Sequence, residues 1–337
     1  MNIIVHSETA QSTANRPVSL ALRQRRSDAP APAAVNRKSN AEVIPFALAA
    51  RKQQLASRRA ASADLLRDNA ELNQTLSQLA VSDTRSAETT DAYLLDCLLD
   101  AVKKDSFQVY YQTQHCLESS NVVGAEALLR LSDADGRLHN TQSLIDLAER
   151  YALVGLIGRQ MMRKACNEFA ELRRAGKVQG RLALNVSSLE LRHAGYAEAL
   201  MNAVQRAGLT PHDIELEITE SQSLDLPGLK LQQLVELAEA GVDLAVDDFG
   251  TGYASWSSVA RLPIRSVKLD RAMIAPLLQC ERSQRLIANL VCCGIDMGFR
   301  VVAEGVQSPA QQQLLVELGC KTGQGFGLSL PKPLEAF

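Results

Sequence analysis

An aspartate pair, Asp247 and Asp248, closes the run DLAVDD, and the glycine-rich stretch FGTGYAS follows at once. Other short runs carry side chains equally able to do chemistry at or near their ends. They are Glu126 in VVGAEALLRL, Asn185 in RLALNV, Glu217 in IELEIT, Lys268 in RSVKLD, Glu304 in RVVAEG and Gln324 in KTGQGF. A lone carboxylate of this kind is ordinarily a solvated rim group. Five of them with a lysine and two amides call for more, because carboxylates taken out of water must be paired or bind metal. The donors are oxygens, and the five histidines are scattered with no H-E-x-x-H, so the set points to a hard cation, Mg²⁺ or Mn²⁺. More acids than one octahedral ion needs suggest two ions, roughly 3.5–4 Å apart. Such a pair suits phosphodiester hydrolysis, with the lysine orienting the attacking water or offsetting developing charge. The letters DFG also occur in protein kinases. Here there is neither a G-x-G-x-x-G loop followed by a strand lysine nor an H-R-D catalytic loop.

These residues need a frame that gathers the run ends. β-rich runs cover 107–112, 122–131, 181–186, 214–219, 243–248, 265–270, 300–305 and, more weakly, 321–326. Helical patterns such as GYAEALMNAVQRAG and SQRLIANLVCCGIDMG separate most of them. Strand, helix, strand, repeated, predicts an α/β fold with a parallel sheet. Eight such strands predict a closed (β/α)8 TIM-like barrel, whose strand C-termini share one face where active sites lie. Only TQHCLESSN separates the first two runs, and a parallel crossover needs about a dozen residues or more. That joint therefore predicts a hairpin, and the barrel a modified one with one antiparallel strand.

The barrel is expected over residues 91–337, preceded by an N-terminal extension over 1–90. Residues 1–40 are rich in Ala, Ser, Arg, Gln and Pro and are expected to be disordered. From about 45 to 81 helix formers take over, with Leu55, Leu65, Leu66, Leu72, Leu76 and Leu79 partly at helical spacing. Sustained heptads are absent, which leaves a dimerising helix and a helix packed on the main domain both open. The net charge of −2 gives no sign of a DNA partner. Seven cysteines without a C-x-x-C pair read as reduced thiols. The longest apolar runs fall far short of the ~20 residues of a membrane span. The start has no basic-then-apolar signal, so a cytoplasmic protein is expected. Trp256, the single tryptophan, is expected in the core.

Seven motifs, GAEALLRL, LALNVS, ELEITES, VDDFGTGYAS, VKLD, VAEGV and GQGFG, occur in order over about residues 92–335. Together they resemble the EAL-domain family of cyclic-di-GMP phosphodiesterases, modified barrels with a reversed strand that produce linear pGpG. The resemblance implies that Glu126, Asn185, Glu217, Asp247, Asp248 and Glu304 are metal ligands for two Mg²⁺ or Mn²⁺ ions. It implies that Lys268 positions or deprotonates the hydrolytic water and that Gln324 steadies water or substrate. Leu128 and Arg130 resemble the substrate-contacting pair, and Gln112 a glutamine near the ligand. Glu220 matches the carboxylate on which the loop after strand five leans, linking the metals to a dimer interface. A homodimer and a regulatory protein partner reached through the N-terminal region are further expectations. The chain departs from the family at Thr113, where proline is usual, and at TQSLID (141–146), which replaces P-x-x-F-I. Two other readings remain open at this point. One is a non-catalytic cyclic-di-GMP receptor, although no ligand is lost. The other is an enolase-type Mg²⁺ barrel, against which Asn185 and the aspartate pair speak.

Overall fold

The computed structural model describes residues 89–133, 135–220, 228–252 and 256–337. The disorder expected of residues 1–40 and the helix expected near 45–81 lie outside them. Strands β2 (Val122–Arg130), β3 (Arg181–Asn185), β4 (Ile214–Thr219), β5 (Asp243–Phe249), β6 (Ser266–Leu269), β7 (Arg300–Ala303) and β8 (Thr322–Gly323) pair in parallel, in chain order. Strand β1 (Gln108–Cys116) closes the ring, antiparallel to both β2 and β8. The two-residue β9 (Lys332–Pro333) lies against Tyr110 and Tyr111 of β1. This is the barrel with one reversed strand that the short joint predicts. Strand β8 is shorter than the expected run 321–326, because its glycines give the ladder no side chains to pack.

Strand β4 shows how the sequence serves both faces. Leu216 and Ile218 belong to the apolar layer beneath the helices, while Glu215 and Glu217 alternate with them. Glu215 is satisfied at the N-terminal end by Ser266 and Arg300, a cluster that reads as structural. Glu217, one pleat further on, lies toward the C-terminal end, where chemistry is placed.

The outer layer is made of α1 (Thr89–Lys104), α2 (Thr141–Arg150), α3 (Val154–Arg174), α4 (Tyr196–Ala207), α5 (Leu229–Ala240), α8 (Glu281–Asp296) and α9 (Pro309–Glu317). Two single-turn pieces, α6 (Trp256–Val259) and α7 (Arg271–Ile274), complete it. Met162, Cys166 and Phe169 recur on one face of α3 and are fully or nearly buried. Asn140 caps α2 by accepting from Ser143 N, and Ser308 caps α9 with Pro309 in its first turn. Gly294 lets α8 approach β7, since a Cβ there would lie 2.6 Å from Val301 Cγ2. Trp256 packs with Phe249 and Phe299 against the core, as expected. A second apolar cluster joins α1, α2 and the start of α3 through Leu94, Leu98, Val102, Leu144, Leu147 and Leu156. The sequence reading did not anticipate α1.

Candidate active site

Lys268 is the hub of a cluster at the C-terminal ends of the strands. Its side chain is completely buried, and Nζ lies 2.8 Å from Glu304 Oε1, 2.9 Å from Glu217 Oε1, 3.1 Å from Asp247 Oδ1 and 3.5 Å from Glu126 Oε2. Each partner comes from a different strand or strand end, so the barrel closure itself assembles the cluster. Burial opposes the ammonium charge, but Glu126, Glu217, Glu304 and Asp247 outweigh it and hold its pKa well above the ordinary lysine value.

The carboxylates respond differently. Burial pushes Glu217 well above the usual carboxylate range, against the opposing pull of Lys268. Burial likewise raises Glu304 to about 8, with Asp247 and Glu126 adding repulsion. For Glu126, desolvation is overcome by Lys268 and by hydrogen bonds from Gln324 and Asn185, and its pKa falls. Those amides donate to it at 2.7 Å each, from Asn185 Nδ2 to Oε1 and from Gln324 Nε2 to Oε2. Gln324 Nε2 also reaches Gln112 Oε1 at 3.1 Å, and Gln112 in turn donates to Ser329 O at 2.9 Å. Gln112 stands directly across the hairpin from Glu126.

Adjacent residues in a regular strand face opposite ways, so Asp247 and Asp248 should not share a site. A bulge resolves this. The β5–β6 register shifts between Val246 and Phe249, and Asp248 takes φ 55°, a left-handed conformation that aspartate tolerates. Asp248 N then donates to Asp247 Oδ1 at 2.9 Å. Burial, followed by repulsion from Asp247 and Asp270, raises the Asp248 carboxyl to about 6. Asp270 caps α7 and is an electrostatic neighbour of Asp248.

The loop after β5 is fixed by one carboxylate. Glu220 Oε2 accepts from Gly250 N at 2.7 Å and from Thr251 N and Gly252 N at 3.1 Å. Gly250 has φ 102°, and a Cβ there would meet Met273 Sδ. Gly250 is therefore required by the turn.

The donor set fits divalent metal. Oxygens of Glu126, Glu217 and Asp247 lie within 4.8 Å of one another, as do those of Asp247, Asp248 and Glu304. The two triads share Asp247. Glu217 is buried, its Oε1 ion-paired with Lys268 and its Oε2 without a hydrogen-bond partner among the described residues. Oxygen donors that include a buried, unpartnered carboxylate oxygen suit a hard cation.

A cavity of about 470 Å³ opens beside the cluster, lined by Asn185, Asp247, Asp248 and Leu128 and walled by Gln142, Ile145 and Glu149 of α2. Arg130 makes no ion pair with the cluster. Its Nη1 donates to Leu129 O and Thr141 Oγ1, and its guanidinium lies 5.7 Å from the Tyr110 ring centroid. Glu190, also on the cavity wall, is a buried acid that sequence reasoning missed, raised to about 7 mainly by burial. Its signal was the S-x-x-E spacing from Ser187, and the two residues exchange hydrogen bonds at 2.8 and 3.2 Å.

A modified parallel barrel with an acidic mouth is the class that fold and site define together. The chain belongs to the EAL domain family, whose model matches residues 96–331. It is 34% identical over 242 residues to the bifunctional diguanylate cyclase/cyclic di-GMP phosphodiesterase MucR of Pseudomonas aeruginosa, covering 72% of this chain and 35% of MucR. It is 31% identical over 248 residues to the cyclic di-GMP phosphodiesterase NbdA of the same organism, covering 74% of this chain and 32% of NbdA. The chain thus spans about a third of the length of these curated relatives. The solved structure of the PaMucR phosphodiesterase in its c-di-GMP complex superposes with a TM-score of 0.68 at 33% identity, covering 72% of this chain and 99% of that one.

Proposed function

We infer that this chain hydrolyses cyclic-di-GMP to linear pGpG. The observation that carries the reading is the pair of oxygen triads meeting at Asp247 around a buried lysine, in a member of the EAL domain family. Named phosphodiesterases among its relatives support the same substrate. Glu126, Asn185, Glu217, Asp247, Asp248 and Glu304 would hold two Mg²⁺ or Mn²⁺ ions. When bound, these ions polarise the phosphoryl oxygens and acidify water.

The chain's own groups do the rest. Lys268 Nζ holds water against the cluster and offsets charge as water adds to phosphorus and the 3′-oxygen leaves with a proton. Gln324 and Gln112 present amides to water or substrate on the β1 side. Leu128 offers an apolar wall, and Arg130 reaches a phosphate by exchanging its contacts with Leu129 and Thr141. Glu220 keeps the loop after β5, and with it Asp248, in place. A cytoplasmic homodimer belongs to the same reading; among the described residues no helix is long and apolar enough to cross a membrane.

The test is purified protein with cyclic-di-GMP and Mg²⁺ or Mn²⁺, with pGpG followed by chromatography. Equal turnover in EDTA would refute the metal site, and tight binding without pGpG would refute hydrolysis.

A further inference from the structure

Phe326 is 68% exposed, the most exposed of the large apolar side chains described, and Leu330 in the same loop is 62% exposed. Single exposed apolar residues are ordinary on a protein surface. This one differs in where it sits and how firmly it is held. It lies two residues after Gln324, whose amide reaches Glu126 inside the cluster. The residues on either side are pressed onto the segment that follows Glu304. A Cβ on Gly325 would lie 2.2 Å from Val306 N, and one on Gly327 would lie 2.4 Å from Gln307 C. Val306 N donates to Gln324 O at 3.0 Å, Gly327 N to Val306 O at 2.8 Å, and Leu328 N and Ser329 N each to Gly325 O at 2.9 Å. The backbone is thus pinned on both sides of a largely exposed ring. A rigid aromatic presented to water beside a phosphodiester-cleaving centre suits a flat, apolar-faced ligand, since every nucleobase offers a π-face for stacking.

We propose that Phe326 is a substrate-positioning residue on which one guanine of the cyclic dinucleotide stacks, with Leu330 extending the apolar surface. This rests on the substrate assigned above. Stacking on a pre-set ring orders the base at little entropic cost and brings its phosphate to the cluster.

The experiment compares wild type with Phe326→Ala, Phe326→Leu and Phe326→Trp, reading kcat and KM for cyclic-di-GMP and, by equilibrium dialysis, its dissociation constant. Phe326→Ala is expected to raise KM and the dissociation constant about ten-fold, with a smaller change in kcat. Phe326→Leu, apolar without a π-face, is expected to resemble Phe326→Ala, and Phe326→Trp to bind like wild type. An unchanged KM in Phe326→Ala, or full rescue by leucine, overturns the proposal. So does a change in solution mass of Phe326→Ala, which would make the surface an interface between copies. If the wild type forms no pGpG, hydrolysis is what fails, and dialysis on the same variants still decides the stacking.

Discussion

Lys268 holds together four carboxylates that would otherwise repel one another. Removing one member of a buried charge cluster costs about 3–5 kcal/mol, so Lys268→Met should melt far below wild type in EDTA. Divalent cation should recover part of that loss in a thermal melt, since metal charge can replace the ammonium, while turnover stays low. Glu304, raised to about 8, and Asp248, raised to about 6, set a pH dependence. A carboxyl with a higher pKa folded than unfolded binds its proton better in the folded state. Its contribution is present below the unfolded value near 4 and is lost as pH rises through the folded one. Metal-free protein should therefore lose stability between about pH 4 and 8, and the melting shift produced by Mg²⁺ should be larger at pH 8.5 than at pH 5.5. A pH-independent shift would mean that these carboxylates do not receive the ion. The identities of these groups were legible because each lies in or at the end of a recognisable apolar run. The means by which neighbouring aspartates face one site was not, because a bulge depends on the register of β5 against β6 and leaves no mark in the residue types.

Among elements, the loop after β5 is the most exposed to a single change. Glu220→Ala should strand the three N–H groups that converge on its carboxylate. The expected outcome is a fall in kcat of about 10²-fold with a smaller effect on cyclic-di-GMP binding, since a misplacement of about 1 Å at reacting groups costs that much. Undiminished turnover would demote the loop to a plain turn. A second element-level outcome concerns the α2–α3 joint, where exposed Ala152 is held at φ 56°. An L-residue in that region costs about 1–2 kcal/mol, and glycine gives back part of the gain as unfolded-state entropy. Ala152→Gly should thus stabilise the protein by roughly 0.5–1 kcal/mol in a urea titration, with no change in KM. The hairpin of β1 with β2 was readable from the length of its loop. Strand β8 was only half readable, because a glycine-rich run has almost no pattern to read.

For the whole molecule, the boundary of the folded unit matters. The family match begins at residue 96, but α1 begins at Thr89 and places Leu94 and Leu95 in the second apolar cluster. A chain beginning near residue 89 should keep its melting temperature and metal-dependent turnover. One beginning at 96 loses two buried leucines and should be less stable by several kcal/mol, at about 1.5–3 kcal/mol for each leucine, and so melt at a lower temperature. Equal melting of the two would show that the first turns of α1 contribute nothing. This helix escaped the sequence reading because it comes before the first strand, where the strand–helix alternation that exposed the other helices has not started.

The direction of β1 settles where upstream chain is delivered. Gln108, its first residue, stands opposite Arg130, the last residue of β2, so the chain joins the barrel on the side where the carboxylates gather. Had β1 run with its neighbours, that junction would lie at the far end, about 30 Å away for nine residues. The incoming helix α1 leans on Leu144, Leu147 and Ala148 of α2, and Asp91 pairs with Arg150 at 2.9 Å. The remaining faces of α2 present Gln142, Ile145 and Glu149 to the cavity. A push or twist arriving along α1 therefore has a lever arm of a single helix before it reaches the cavity wall.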